Sequence, residues 1–146
     1  MRSALSKITM VAALLVVGQS VWAANWGTYE RRLNEFRAAQ GTMNAILAEL
    51  PSRTAAFNAG MAVRDARAKY NAKRAYQAYL GRAMAAARNA NNLHEMAYGA
   101  LKMYVRAKGG FPLLRTHQLN YQTNRTGLAD IMRTLNTISN NARRRV

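Results

Sequence analysis

Large or apolar side chains recur at Trp26, Tyr29, Leu33, Phe36, Met43, Leu47 and Leu50, at alternating intervals of three and four with only Gln40 interrupting. That spacing places them on one stripe of a helix over about 25–50 and resembles a short coiled-coil seam. Glu30, Arg31, Arg32, Glu35 and Arg37 fall on the other faces, and Pro51 is expected to end the element. Trp26, Tyr29 and Phe36 read first as part of the packed seam, with a membrane-interface anchor or a base-stacking platform as alternatives.

The stretch 52–108 lies between the only two prolines, Pro51 and Pro112. It is rich in Ala, Arg, Lys and Met, and predicts one very long helix or two nearly in line, roughly 80 Å if unbroken. Ser52 and Thr54 are candidate caps. At helical spacing one face collects Met61, Ala68, Ala72, Ala75, Tyr79, Ala83, Ala86, Ala90, Leu93, Ala97, Leu101 and Tyr104. Small side chains let helix backbones approach closely, so this face is the expected packing interface. Leu80, Met84, Ala87, Tyr98 and Val105 widen it on one flank. Gly81 and the run 89–92 (Asn-Ala-Asn-Asn) are the places where the rod would bend, but the alanine phase from Ala83 through Ala90 to Ala97 favours continuity. Gly109-Gly110 predicts the stop.

No period persists over 113–126, which reads as a polar linker with an Asn124-Arg125-Thr126 sequon of low specificity. Leu128, Ile131, Leu135 and Ile138 then predict a final helix over about 127–142. The expected fold is all-α: an elongated helical hairpin or three-helix, coiled-coil-like bundle dominated by one long central helix. Residues 24–146 form a single helical domain.

Ahead of it, Arg2 and Lys7 precede an almost uninterrupted apolar run over 8–18, and Val21-Trp22-Ala23 presents small residues where a signal peptidase reads. Residues 1–23 are therefore a cleavable signal peptide or a retained membrane-inserting segment, with membrane contact through 8–26. The implied location is exported, periplasmic or envelope-associated in a Gram-negative bacterium, or a virion if the segment is retained.

Charge changes the picture most. The 146 residues hold 22 Lys and Arg against 6 Asp and Glu, a formal net charge of +16. Such a chain calls for an anionic partner: nucleic acid, lipid or lipopolysaccharide. The expected contacts are Arg64, Arg67, Lys73, Arg74, Arg82, Arg88, Lys102, Arg106 and the closing run Arg143, Arg144 and Arg145. Lys69, Tyr70, Tyr76 and Tyr79 are interleaved among them, as phosphate-tracking cations and base-stacking rings would be, although the tyrosines on the alanine face read first as core.

Catalytic chemistry finds little support. Cysteine is absent, which excludes thiol nucleophiles, disulfides and Cys-based zinc sites. His94 and His117 stand far apart in sequence without ligand spacing, and the six acids are too scattered to nominate a carboxylate pair. No phosphate loop or nucleophile elbow occurs, so no cofactor, metal or catalytic residue is expected.

These features suggest a non-enzymatic, cationic assembly protein of a virion or cell envelope, oligomerising through the alanine face or packing on partner helices. In general type it resembles small phage internal or DNA-ejection proteins, which pair an apolar N-terminal segment with Ala- and Arg-rich helices. A periplasmic or secreted binding protein of a secretion or conjugation system is the alternative, and a cell-wall hydrolase a remote one.

Overall fold

A computed structural model describes residues 25–108 and 114–146, all but a few of them helical. Four helices follow in order: α1 (Asn25–Ala48), α2 (Leu50–Ala62), α3 (Ala66–Lys108) and α4 (Leu114–Arg144). The reading of 1–23 as signal peptide or inserted segment lies outside the described residues. Trp26 is described, and it is a core residue, 3% exposed, which ties position 26 to the bundle. Among the described residues no helix is long and apolar enough to cross a membrane.

The architecture is an all-α bundle built around α3. Antiparallel packing follows from paired levels: Trp26 meets Tyr104 at one end, while Tyr79 meets Ile46 and Tyr76 meets Thr54 toward the other. α4 also runs antiparallel to α3, since Tyr121 stacks on Tyr98 and Ser139 bonds Gln77. Chain polarity thus alternates, and α3 is covered from two sides.

All three long helices carry heptad seams. On α1 it is Trp26, Tyr29, Leu33, Phe36, Gln40, Met43 and Leu47; on α4 it is His117, Tyr121, Asn124, Leu128, Ile131, Leu135, Ile138 and Ala142. On α3 the buried line runs Tyr76, Leu80, Ala83, Ala87, Ala90, His94, Ala97, Leu101 and Tyr104, again by threes and fours. Large residues on α1 therefore face a line on α3 whose middle is small, at Ala83, Ala87, Ala90 and Ala97, the complementarity that lets two helices approach closely.

The predicted α3 face is rotated relative to this line. Met61, Tyr79, Ala83, Ala90, Ala97, Leu101 and Tyr104 are buried, Ala68, Ala72, Ala86 and Leu93 are half-buried, and Ala75 is exposed. The expected stripe and the seam share Ala83, Ala90, Ala97, Leu101 and Tyr104 and part at the alternate positions, where Ala87 and His94 are buried in place of Ala86 and Leu93, because neighbouring alanines cannot mark which is central. Leu80 and Ala87, expected on the flank, lie on the axis of the seam together with His94.

The first boundary agrees with expectation and two others differ. α1 ends at Ala48, just ahead of Pro51, but no loop follows and helix resumes at Leu50. Pro51 sits in the first turn of α2, where a missing N–H costs little, so the chain only bends at Glu49 and resumes. The Glu49 N–H closes a tighter turn onto the Ile46 carbonyl at 3.1 Å.

The long helix does not span 52–108. It breaks at Val63–Asp65, where Val63 is extended (φ −77°, ψ 156°) and the Asp65 carboxylate accepts the Arg67 N–H at 3.0 Å, starting α3. Just before this corner, α2 and α3 nearly touch: a Cβ on Gly60 would overlap that of Ala72. α3 then runs unbroken through Gly81 and the 89–92 run.

The last helix begins at Leu114, not near 127. Its first turns keep the heptad spacing, but with His117, Tyr121 and Asn124 on the buried positions, so apolar periodicity does not reveal them. Residues 109–113, including the expected Gly109-Gly110 stop, lie outside the described residues.

Candidate anion-binding site

The bend at Glu49 and the corner at 63–65 bring α2, the start of α3 and the end of α4 to one tip of the bundle. Phe57 of α2 stacks on Tyr76 of α3 (centroids 4.6 Å apart), and Arg145 lies over the Phe57 ring at 5.2 Å while donating to Asn58. The C-terminal tail is thereby tied to α2.

α4 is registered on α3 by a reciprocal pair. The Gln77 amide donates to the Ser139 carbonyl at 3.1 Å, and the Ser139 hydroxyl donates to the Gln77 Oε1 at 2.7 Å. Lys73 and Arg74 lie one turn before Gln77, and Arg143 one turn after Ser139, so this pair fixes cations from two helices opposite one another. They enclose an open cleft of about 370 Å³ lined by Tyr70, Lys73, Arg74, Gln77, Ala142 and Arg143. Arg143 and Arg144 occupy the last turn of α4, where cations suit the helix carbonyls.

Arg64 and Arg67 flank the same tip, on the corner and in the first turn of α3, both exposed. The acids here are engaged: Glu49 pairs with Arg53 at 2.9 Å, and Asp65 caps α3. The tip therefore carries a large uncompensated positive charge.

The other expected contacts are dispersed. Arg82 and Arg88 are exposed along the middle of α3, Lys102 lies over the Tyr98 ring at 4.9 Å, and Arg106 is near the far end. From Arg74 to Lys102 is roughly 40 Å at 1.5 Å per residue. The eleven cations form one cluster and a sparse trail.

Comparison with known protein families, curated proteins and solved structures finds no match. The site has to be read from its own geometry.

The aromatic residues among these cations divide sharply. Tyr76 and Tyr79 are buried at 5% and 1% exposure, while Tyr70 is 63% exposed. Tyr79 donates to the Ile46 carbonyl at 2.7 Å, with Arg53 over its ring at 5.6 Å; burial, reinforced by Glu49, raises its phenol pKa. The burial of Tyr76 and Tyr79 agrees with the core reading of the alanine-face tyrosines. Gln77 carries no signal along the chain, because its Ser139 partner is 62 residues away.

The structure also joins the two histidines. His94 and His117 both line a small cavity of about 20 Å³, with Tyr29, Tyr121 and Asn124. Burial holds the His94 imidazole down at about 4, with Glu95 opposing, and lowers His117 as well. Both rings are thus neutral near pH 7. Tyr29, pushed up to about 12 by burial with Arg37 opposing, has its hydroxyl 3.4 Å from His117 Nδ1. Tyr121 stacks between His94 (5.0 Å) and Tyr98 (3.6 Å) and donates to Glu95 at 2.8 Å. Asn124 is fully buried at the bundle axis, which removes the sequon from consideration.

A second opening lies toward the opposite end, between α1 and α3. It is a mostly apolar groove of about 510 Å³ that includes Thr28, Arg32, Met96, Gly99, Ala100 and Met103. Among the described residues no three His, Asp or Glu side chains cluster as metal ligands.

Proposed function

We propose that this chain is a non-enzymatic structural or assembly protein of a virion or bacterial cell envelope, whose basic tip docks on an anionic partner. The supporting observation is the convergence of Arg64, Arg67, Lys73, Arg74, Arg143, Arg144 and Arg145 from a corner and two helices, beside acids already engaged. Clustered like charge raises the local potential well above that of the same charges spread along a rod. The bundle fixes the helices that carry the cluster, so binding has to order side chains and not backbone.

Self-association through the alanine face has less room in this reading, because Ala83, Ala90 and Ala97 are consumed by packing within the chain. Assembly then rests on the tip and on surfaces outside the seam. The alternative, a periplasmic or secreted accessory protein, uses the same tip and differs in whether residues 1–23 are retained.

Titration against nucleic acid, anionic vesicles and lipopolysaccharide over a salt series tests the reading. Binding to at least one should weaken steeply with salt, and Arg74→Gln with Arg143→Gln should flatten that dependence. Salt-independent binding, or none to any of the three, sinks it. N-terminal sequencing of the native material separates the two locations.

A further inference from the structure

Tyr70 is the one aromatic ring among the described residues that is left largely in water, at 63% exposed, and it lines the basic cleft rather than a featureless face. We propose that the cleft is a single-stranded nucleic-acid site, in which a base stacks on Tyr70 while neighbouring phosphodiesters lie on Lys73, Arg74 and Arg143. The inference rests on the anionic-tip reading and names its partner.

Three features select this partner. An exposed phenol ring amid cations is the combination that single strands use: charge follows the backbone, and a flat π-face takes whichever base is presented. Tyr70 adds nothing to the core, whereas Tyr76 and Tyr79, on the same helix, are both consumed by packing.

The cleft is also concave and held open by fixed parts. Gln77 and Ser139 lock α3 to α4 beneath it, and Ala142, 4% exposed, forms part of its floor, so Arg143 stands opposite Arg74 at a set separation. About 370 Å³ falls within the roughly 300–1,000 Å³ typical of small-ligand clefts, enough for one base and its sugar.

A bilayer is a poorer fit, since basic surfaces that bind lipid set apolar side chains to insert beside their cations. At the basic tip the exposed large aliphatic side chains among the described residues are only Val63 and the terminal Val146, while the longer Met96 and Met103 line the groove toward the opposite end of the bundle. A polyanion without bases would use the cations and leave Tyr70 without a role.

Fluorescence anisotropy on the full chain decides the matter, using a labelled twelve-nucleotide oligothymidylate, an abasic strand of the same length and charge, and phosphatidylglycerol vesicles. The oligothymidylate should bind about tenfold more tightly than the abasic strand. Tyr70→Ala should remove that advantage, leaving abasic binding unchanged. Arg74→Gln with Arg143→Gln should weaken both strands together and reduce the salt slope. Because Tyr70 is exposed, its replacement leaves the fold intact, which circular dichroism verifies.

Equal affinity for the two strands, or an unchanged preference in Tyr70→Ala, overturns the base-stacking site while leaving the anionic tip standing. Vesicle binding without strand binding replaces nucleic acid by lipid. No binding to any probe removes both readings.

Discussion

The Tyr79 hydroxyl donates a 2.7 Å hydrogen bond to the Ile46 carbonyl, directly across the bend between α1 and α2. Pro51 has no N–H to extend the α1 ladder, and the chain tightens there so that the Glu49 N–H also reaches Ile46. The tyrosine thus clamps the interruption to α3. Tyr79→Phe keeps the ring and loses the clamp, and should destabilise the bundle by about 1 kcal/mol in urea unfolding. Tyr70→Phe, with its hydroxyl in water, is the matched control and should change little.

Gly60 and Ala72 set the distance between α2 and α3. Gly60→Ala should cost about 1–3 kcal/mol through the overlap with the Ala72 methyl, despite alanine's better helix propensity. Gly81→Ala meets open space on the same helix as Ala72 and should stabilise by about 0.5–1 kcal/mol. Opposite signs for two Gly→Ala changes in one protein are the expected result. Partial rescue of Gly60→Ala by Ala72→Gly would locate the overlap.

Acid should loosen the bundle through its histidines. Burial holds both below the ordinary imidazole value of about 6.5, His94 at about 4, so the unfolded chain binds protons that the folded chain refuses. Their contribution is fully present above about pH 6.5 and is lost as pH falls from there toward 4, at up to about 1.4 kcal/mol per pH unit for each group. Melting temperature followed from pH 7 to 4.5 should fall. His94→Gln should flatten that descent, and an unchanged slope would refute the assignment.

Asn124 is fully buried, and neither its carboxamide oxygen nor its nitrogen has a protein partner within hydrogen-bond distance. Asn124→Leu should therefore raise stability by about 1–3 kcal/mol. It should also weaken the preference for one alignment of α4, read as broadened amide spectra. A loss of stability would show that the carboxamide is well satisfied in solution.

How much of this was legible depends on how each element announces itself. α1 shows its seam openly, because Leu33, Phe36, Met43 and Leu47 are large and apolar. The corner at 63–65 was hidden: alanine-rich helix flanks it on both sides, and no change of spacing marks Asp65 as a cap. Tyr121 and Asn124 disguised the start of α4 as a linker. For the site, the cations were plain from composition, but opposing Arg74 to Arg143 requires the Gln77–Ser139 pairing, a relation between residues 62 apart that spacing along one helix does not report.

The antiparallel course of α1 and α3 gives the bundle two unlike poles. Asn25, where the described chain begins, is level with Tyr104, while the Tyr70 cleft lies about 50 Å away along the same helix, at 1.5 Å per residue. Residue 25 lies at one pole, and the densest cluster of cations, Lys73, Arg74 and Arg143 to Arg145 with Arg64 and Arg67, lies at the other. The length of α3 sets how far the basic tip stands from residue 25.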